Sequence, residues 1–379
     1  MSVINRAAFL QGPKDKCLVT TTAPYPEIKN DHDIIIKTKS IALNPVDHIL
    51  QHNGTNLSFP WLKYSVVLGH DAAGEVVEVG LGVTRFKKGD RVVGLGYGLD
   101  KSEKESAQSG RYPRSTFQEY ILLSEHMTAP IPDQITYEAA SVIPLGFVTA
   151  ACGLFQAEHL KLDLPNQANL SRSTGETVLI CGGSTSVGMN AIQLATAAGY
   201  EVLTTCSPRN FDLVKSLGAS QAWDYKSPTV VKDITKAFNG KKCAGALTLG
   251  NGSAEMAFDI LQHCEGNRRI ALGTFPLPDP LPERFVLPRM MFYISTWMLA
   301  AFYQRLTRGI QYNIIWSGTL IQDGIGKELF TNFLPNALRQ GRFRPAPETR
   351  VVGTKLEDIQ AGLDGLAGGV SACKLVVQL

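Results

Sequence analysis

The residues with the most chemical promise run from Thr177 to Gly188, TVLICGGSTSVG, where an apolar stretch breaks into glycine, serine and threonine and then resumes as a helix-forming sequence. Small side chains at Gly182, Gly183, Ser184, Thr185 and Ser186 let the backbone come close to a bulky anion. The free amides and positive dipole end of a helix starting near Val187 attract it. That is the chemistry of a diphosphate cradle, with Gly188 allowing the helix to lie close to the strand. The pattern departs from a strict G-x-G-x-x-G, so an ordinary strand-to-helix connection also fits the loop taken alone.

The next apolar strand, Glu201 to Thr205, bears on which nucleotide would bind. An NAD site places Asp or Glu at the end of this strand to hold the ribose 2′-hydroxyl. Here the strand ends in Thr-Thr-Cys-Ser-Pro-Arg. Ser207 and Arg209 instead offer a hydroxyl and a guanidinium, which bind a 2′-phosphate by charge-assisted hydrogen bonds. NADPH is therefore expected over NADH, although Arg209 also fits a solvated charge ahead of a helix. Asn210 reads as the N-cap of FDLVKSLGA. Tyr225, after the third strand, either adds its hydroxyl to the same phosphate or is a half-buried strand-end tyrosine.

Such a loop needs a wound sheet behind it. From about Leu145 apolar strands alternate with helices, through ETVLICGG, YEVLTTC, GALTLG and RRIALG, the sign of βαβ units and a parallel, doubly wound sheet. Residues 1–144 read differently, as short β segments separated by Gly and Pro, which points to a β-rich, partly closed barrel. The tail from 341 to 379 reads strand, helix, strand and is assigned back to the first domain. The expected fold class is thus α/β, with a Rossmann-type domain over 145–340 inserted into the β-rich one. Leu99 to Ser115 is polar and is expected to be an exposed loop. Met290 to Tyr303, MMFYISTWMLAAFY, is too short for a membrane span and is expected to be a buried or pocket-lining helix, with core packing or a dimer interface as alternatives.

Composition narrows the partners. The 379 residues are 44% hydrophobic and 19% charged, which excludes disordered, collagenous and coiled-coil classes. The net charge of +3 is scattered, so nucleic acid is not expected, nor is a membrane. A small molecule is the expected partner, with the chain a monomer or homodimer. Seven cysteines, an odd number with no C-x-x-C, argue against a disulfide framework and a structural zinc lobe. With no apolar leader at the N-terminus, a cytoplasmic address is expected.

Further segments add a resemblance: Ile41-Ala-Leu-Asn44-Pro45-Val46-Asp47-His48, Val67-Leu-Gly-His70-Asp71 through Gly80, Gly89-Asp-Arg-Val92, Thr116-Phe-Gln-Glu-Tyr120 and Gly146-Phe-Val-Thr149-Ala150. With the nucleotide loop, they resemble the medium-chain dehydrogenase/reductase superfamily over nearly the whole chain. They are most similar to its zinc-free branch of quinone oxidoreductases and fungal trans-acting enoyl reductases. The resemblance implies a GroES-like catalytic domain beside the Rossmann domain. It also implies that Asn44, Val46, Asp47 and His48 contact the cofactor, that Thr149 approaches the nicotinamide carboxamide, and that Leu249 and Leu272 line the nicotinamide with backbone. Lys374 resembles part of a terminal motif that closes over the cofactor.

Zinc-dependent relatives carry Cys where this chain has Asn44, and His-Glu where it has His70-Asp71. One imidazole does not hold Zn²⁺ without at least two further protein ligands. No metal is expected. Some polyketide enoyl reductases carry Lys at the position of Ile49, so a mechanism needing that ammonium does not transfer. The implied activity is an NADPH-dependent reduction of a conjugated carbonyl (enone, enoyl thioester or quinone), with His48, Tyr64 and His70 as proton-donor candidates beside water. His70 also fits a hydrogen-bonded structural histidine, and Tyr64 a core aromatic. The alternatives are a zinc-free carbonyl or alcohol oxidoreductase and a non-catalytic NADPH-binding regulator.

Overall fold

The chain opens with β1 (Asn5–Leu10) and β2 (Val19–Ala23), an antiparallel pair, followed by the ten-residue β3 (Asp33–Ala42). Helix α1 (Pro45–Asn53) leads to β4 (Val66–Val67), which pairs with β1, and then to β5 (Asp71–Val79), β6 (Arg91–Leu95), β7 (Tyr120–Ser124) and β8 (Thr128–Pro130). This computed structural model describes residues 3–13, 15–55, 59–165, 173–274 and 286–379. It divides into two units, Met1–Leu145 with Ile321–Leu379, and Gly146–Leu320.

In the first unit β3 bends the sheet. It pairs with β5 along its length, with register shifts at Ile35/Ile36 and Thr38/Ser40. Its other edge is shared: Asp33–Lys37 pair with β7 and Ser40–Ala42 with the C-terminal strand. Bulges and a split edge add twist and curl a sheet toward a barrel. Ala7, Leu10, Leu43, Leu50, Phe117, Leu363 and Leu375 fill one side of this unit, and Ile34, Ile36, Val76, Val92 and Ile121 fill another.

The second unit begins within α2 (Pro144–Phe155). Its strands are β9 (Glu176–Cys181), followed by helix α3 (Ser186–Ala197), β10 (Glu201–Cys206), β11 (Gln221–Asp224), β12 (Lys242–Thr248), β13 (Glu265–Gly266) and β14 (Arg269–Leu272). Helix α4 (Val286–Arg308) and β15 (Gln311–Ile314) complete it. The sheet order β11-β10-β9-β12-β14-β15 is parallel throughout, which is the order of a doubly wound nucleotide-binding sheet. Leu179, Leu203, Ile234, Phe258, Ile260 and Ile270 form its core.

The chain rejoins the first unit at Ile321, earlier than the expected 341. The reason is burial: Leu329, Phe330, Phe333 and Leu334 are covered there, and Arg85 Nη2 donates to the carbonyl of Phe330 at 3.1 Å. Strand β16 (Glu348–Gly353), helix α5 (Ile359–Ala367) and β17 (Cys373–Gln378) then follow as strand, helix, strand, and β17 pairs antiparallel with β3.

Two expectations need correction. Leu99 to Ser115 is exposed through its middle, at Lys101, Ser102, Lys104, Glu105, Gln108, Ser109 and Arg111. It is not a simple loop, however: it carries a short helix at Lys104–Gln108, and Leu99, Tyr112, Arg114 and Ser115 at its ends are buried. Arg114 pairs with Asp33 at 2.6 Å and Glu103 at 2.9 Å, so its charge serves as an internal anchor. Met290 to Tyr303 lies in a helix, but the buried and core-packing readings of it are overturned, while the pocket-lining and dimer-interface ones stay open. Within α4, Ala301 is buried and Trp297 packs against Phe258 and Tyr312, while Phe292, Leu299 and Tyr303 are 72%, 68% and 61% exposed. Apolar content alone did not say which side of the helix has a partner.

Candidate functional site

In the second unit, the sequence from β9 to α3 makes a turn that tolerates only small residues at its close approaches. Gly182 has φ +82°, in the left-handed region, and a Cβ there would lie 2.6 Å from the Leu249 carbonyl oxygen. A Cβ at Gly188 would fall on the carbonyl of Gly182, so α3 lies against the strand end as Gly188 led one to expect. A Cβ on Gly146 would lie 2.6 Å from Ser186 Oγ, so α2 also lies close against α3.

Two threonines fix the turn. The Thr205 carbonyl at the end of β10 accepts from Gly182 N at 3.1 Å and Gly183 N at 2.8 Å. Thr185, the N-cap, accepts from Gly188 N at 3.0 Å through its hydroxyl, which donates to the Gly182 carbonyl at 2.9 Å. Helix geometry leaves the amides of Ser186 and Val187 without an intrahelical acceptor. Thr185 is exposed, and Ser184, Ser186 and Val187 are half-buried. The cradle that a dinucleotide diphosphate requires is therefore shaped by side chains that are absent.

Around it, Ser207 is half-buried and Arg209 exposed at the end of β10, and Tyr225 is 44% exposed past β11 with Lys226 Nζ 5.7 Å from its ring centroid. Asn210 departs from expectation. It stands at the start of the helix Phe211–Ser216 but makes no side-chain capping bond, and its buried Nδ2 has no partner among the described residues. A short helical turn over Pro208–Asn210 already satisfies the first amides there, so the cap is not needed. Leu249 and Leu272 are buried at the ends of β12 and β14, where Leu249 N donates to the Cys181 carbonyl at 3.1 Å. Thr149 is half-buried in α2.

In the first unit, the resemblance-derived residues gather around two carboxylates. Asn44 is the N-cap of α1, Pro45 its first residue, and Asp47 Oδ2 accepts from the Asn44 amide at 2.9 Å. The other Asp47 oxygen lies 3.0 Å from His70 Nδ1. Burial lowers the His70 pKa, but the hydrogen bond and charge of Asp47, with Asp71 behind it, outweigh that and leave it raised from 6.5. Asp71, fully buried, accepts from Lys374 Nζ at 2.5 Å, Asn44 Nδ2 at 3.0 Å and Leu145 N at 2.6 Å. Lys374 also donates to the Val142 carbonyl at 3.1 Å.

This network was only partly legible. Asp71 and Lys374 are 303 residues apart, and no periodicity links them. Lys374 is 4% exposed and committed to Asp71, which places it inside the unit rather than at its surface. Of the proton-donor candidates, His48 is half-buried, stacked on His52 with ring centroids 5.6 Å apart, and its Nδ1 has no partner among the described residues. Val46 is half-buried beside it. The Tyr64 hydroxyl accepts from Thr55 N and Oγ1, both at 3.0 Å, while its ring packs on the core.

The position where relatives hold zinc does not suit it in this chain. Asn44 contributes an amide already bonded to Asp71, and the Asp71 oxygens are filled by nitrogen donors, which leaves His70 to offer a single imidazole through its second ring nitrogen. Among the described residues, three available ligands are not gathered there.

Comparison with known proteins identifies the fold. Residues 30–133 match the alcohol dehydrogenase GroES-like domain. The chain is 46% identical to the dehydrogenase pigH of Monascus ruber over 99% of both chains, and 33% identical to the trans-enoyl reductase himH of Aspergillus japonicus over 100% of this chain and 98% of that one. Among solved structures it superposes on a quinone oxidoreductase of Pseudomonas syringae pv. Tomato with TM-score 0.69 and 20% identity, each chain covered completely. A mycobacterial protein solved in complex with NADPH gives TM-score 0.66 and 20% identity, covering 99% of this chain and 100% of that one. With a wound sheet ending in a glycine turn, a GroES-like first unit and a relative matched end to end at 46% identity, the chain belongs to the medium-chain dehydrogenase/reductase superfamily, with dehydrogenases and trans-enoyl reductases among its relatives.

Proposed function

We propose that this protein is an NADPH-dependent, zinc-free reductase of conjugated carbonyl compounds, an enone, enoyl thioester or quinone. The observation that carries the reading is the turn at Gly182, Gly183 and Gly188, where any Cβ would collide with Leu249, Thr204 or the Gly182 carbonyl, so that α3 starts packed close against the end of β9 as in a diphosphate-binding turn. The trans-enoyl reductase and quinone oxidoreductase relatives support the reaction class, and the NADPH of the mycobacterial neighbour supports the nucleotide class.

Within this reading the amides of Ser186 and Val187 and the α3 dipole bind the diphosphate. Ser207 and Arg209 take the 2′-phosphate, with Tyr225 as a further donor. The bound nicotinamide supplies a hydride for the β-carbon of the substrate. Charge on the enolate oxygen is met by hydrogen bonds rather than by a metal. Asp47 holds a proton on His70 to higher pH than usual, which makes His70 the best equipped of the three donor candidates for protonation at the α-carbon.

The test is steady-state consumption of NADPH by the purified chain with an enone and with its saturated ketone. Consumption with the enone alone is the expected result. Equal turnover of the ketone would favour a carbonyl reductase, and no binding of either pyridine nucleotide by calorimetry would overturn the reading altogether.

A further inference from the structure

Outside both candidate sites, three metal-ligating side chains converge at one end of the first unit. The antiparallel register that sets Asp33 opposite Ser124 brings the residue before β3, His32, alongside the two that follow β7, Glu125 and His126. Glu125 N donates to the His32 carbonyl at 2.9 Å, which fixes the backbone of this corner. His32 Nδ1 lies 2.5 Å from Glu125 Oε1, and the two imidazoles are 5.0 Å apart between ring centroids. One ligand atom from each of the three residues lies within 4.8 Å of the other two.

The corner is left incomplete by its own hydrogen bonds. Glu125 is 2% exposed, yet its second oxygen, Oε2, has no donor among the described residues, and neither has His126 Nδ1 a partner. An orphaned carboxylate oxygen in a buried place is costly. Arg85 acts on Glu125 and His126 by its charge but leaves that oxygen without a hydrogen bond. Arg85 donates to the backbone carbonyls of Glu125 at 2.6 Å, Thr128 at 3.2 Å and Phe330 at 3.1 Å.

We propose that His32, Glu125 and His126 bind one divalent transition-metal ion of the Zn²⁺ type. Two imidazoles and one carboxylate are a zinc ligand set, with bond lengths of about 2.0–2.2 Å and water in the fourth place. Mg²⁺ and Ca²⁺, which take oxygen shells, do not fit it. The His32 side chain is 49% exposed, so its ring has room to turn from Glu125 Oε1 onto the ion, and water reaches the open position from the same side. The ion would tie the entry of β3 to the exit of β7, apart from the Asn44, His70 and Asp71 network. Lys327 is close enough to act on His126 by its charge and opposes the ion.

The test uses the full-length chain, freed of any affinity tag and stripped with chelator, titrated with Zn²⁺ by calorimetry and with Co²⁺ for the visible absorption of a low-coordinate ion. The expected result is one equivalent bound. His32→Ala, a substitution at an exposed side chain that leaves the fold intact, is expected to weaken binding about tenfold or more, since even outer-shell partners are worth that much. Glu125→Gln should do the same, and Lys327→Ala should tighten binding. His263→Ala, an exposed histidine in the other unit, serves as the control and should change nothing. No saturable binding by the wild type, or binding that His32→Ala and Glu125→Gln leave unchanged, overturns the proposal.

Discussion

At the scale of single residues, one charge is exposed and free to choose a ligand, and another is buried and committed. Arg209 belongs to the first kind. If it takes the 2′-phosphate, Arg209→Ala removes a charge-assisted bond worth about 1.5–3 kcal/mol, roughly 10–150-fold in the NADPH dissociation constant, and leaves NADH binding unchanged by calorimetry. Lys374 belongs to the second. Lys374→Met leaves the Asp71 carboxylate buried with its cation gone, so chemical denaturation should show a loss of about 3–5 kcal/mol, much of it recovered in the double variant Asp71→Leu/Lys374→Met. His70 sets a pH dependence. Its folded-state pKa lies above 6.5, so its contribution to stability is complete below the unfolded value and is lost as pH rises through the folded one. The stability gap between wild type and His70→Gln is therefore expected to be widest near pH 5–6 and to close on the alkaline side; turnover falls over the same rise if His70 is the proton donor.

At the scale of elements, what could be read in advance was whatever a local pattern encodes. Thr177 to Gly188 announces a strand, a turn and a helix because glycine and threonine report backbone conformation directly, and Thr185 and Gly188 do what their types require. Thr185→Ala is expected to cost about 1 kcal/mol by removing the cap, with the diphosphate end of the cradle still open. Gly188→Ala is the harsher change, since its methyl meets the Gly182 carbonyl; both thermal stability and nucleotide affinity should drop together. Patterns failed where a partner decides the outcome. The segment from Leu99 to Ser115 reads as polar, yet Arg114 is drawn inward by Asp33, a residue far away in sequence. Helix α4 reads as apolar, but burial depends on what lies against each face, and only the Trp297 and Ala301 side is covered by its own unit.

At the scale of the whole molecule, the fold class and the alternation of a β-rich unit with a wound sheet were legible, because period-2 strands and βαβ units repeat over many residues. The point of return was not. Its signal is the burial of Phe330 and Phe333, and aromatic residues in a helical stretch do not name the core they enter. The carboxylate network was hidden for the same reason, since Lys374 reaches Asp71 only after the last strand is in place.

That dependence of β3 on β17 has a consequence for how the protein is made. Ser40 to Ala42 gain their second sheet partner from Val376 to Gln378, so the first unit stays unfinished on the ribosome until those residues have been made. The inserted unit, Gly146–Leu320, has all its strands earlier. Nascent chains arrested once Leu320 has cleared the exit tunnel should therefore yield a protease-resistant fragment from the wound sheet, while the residues ahead of it are digested.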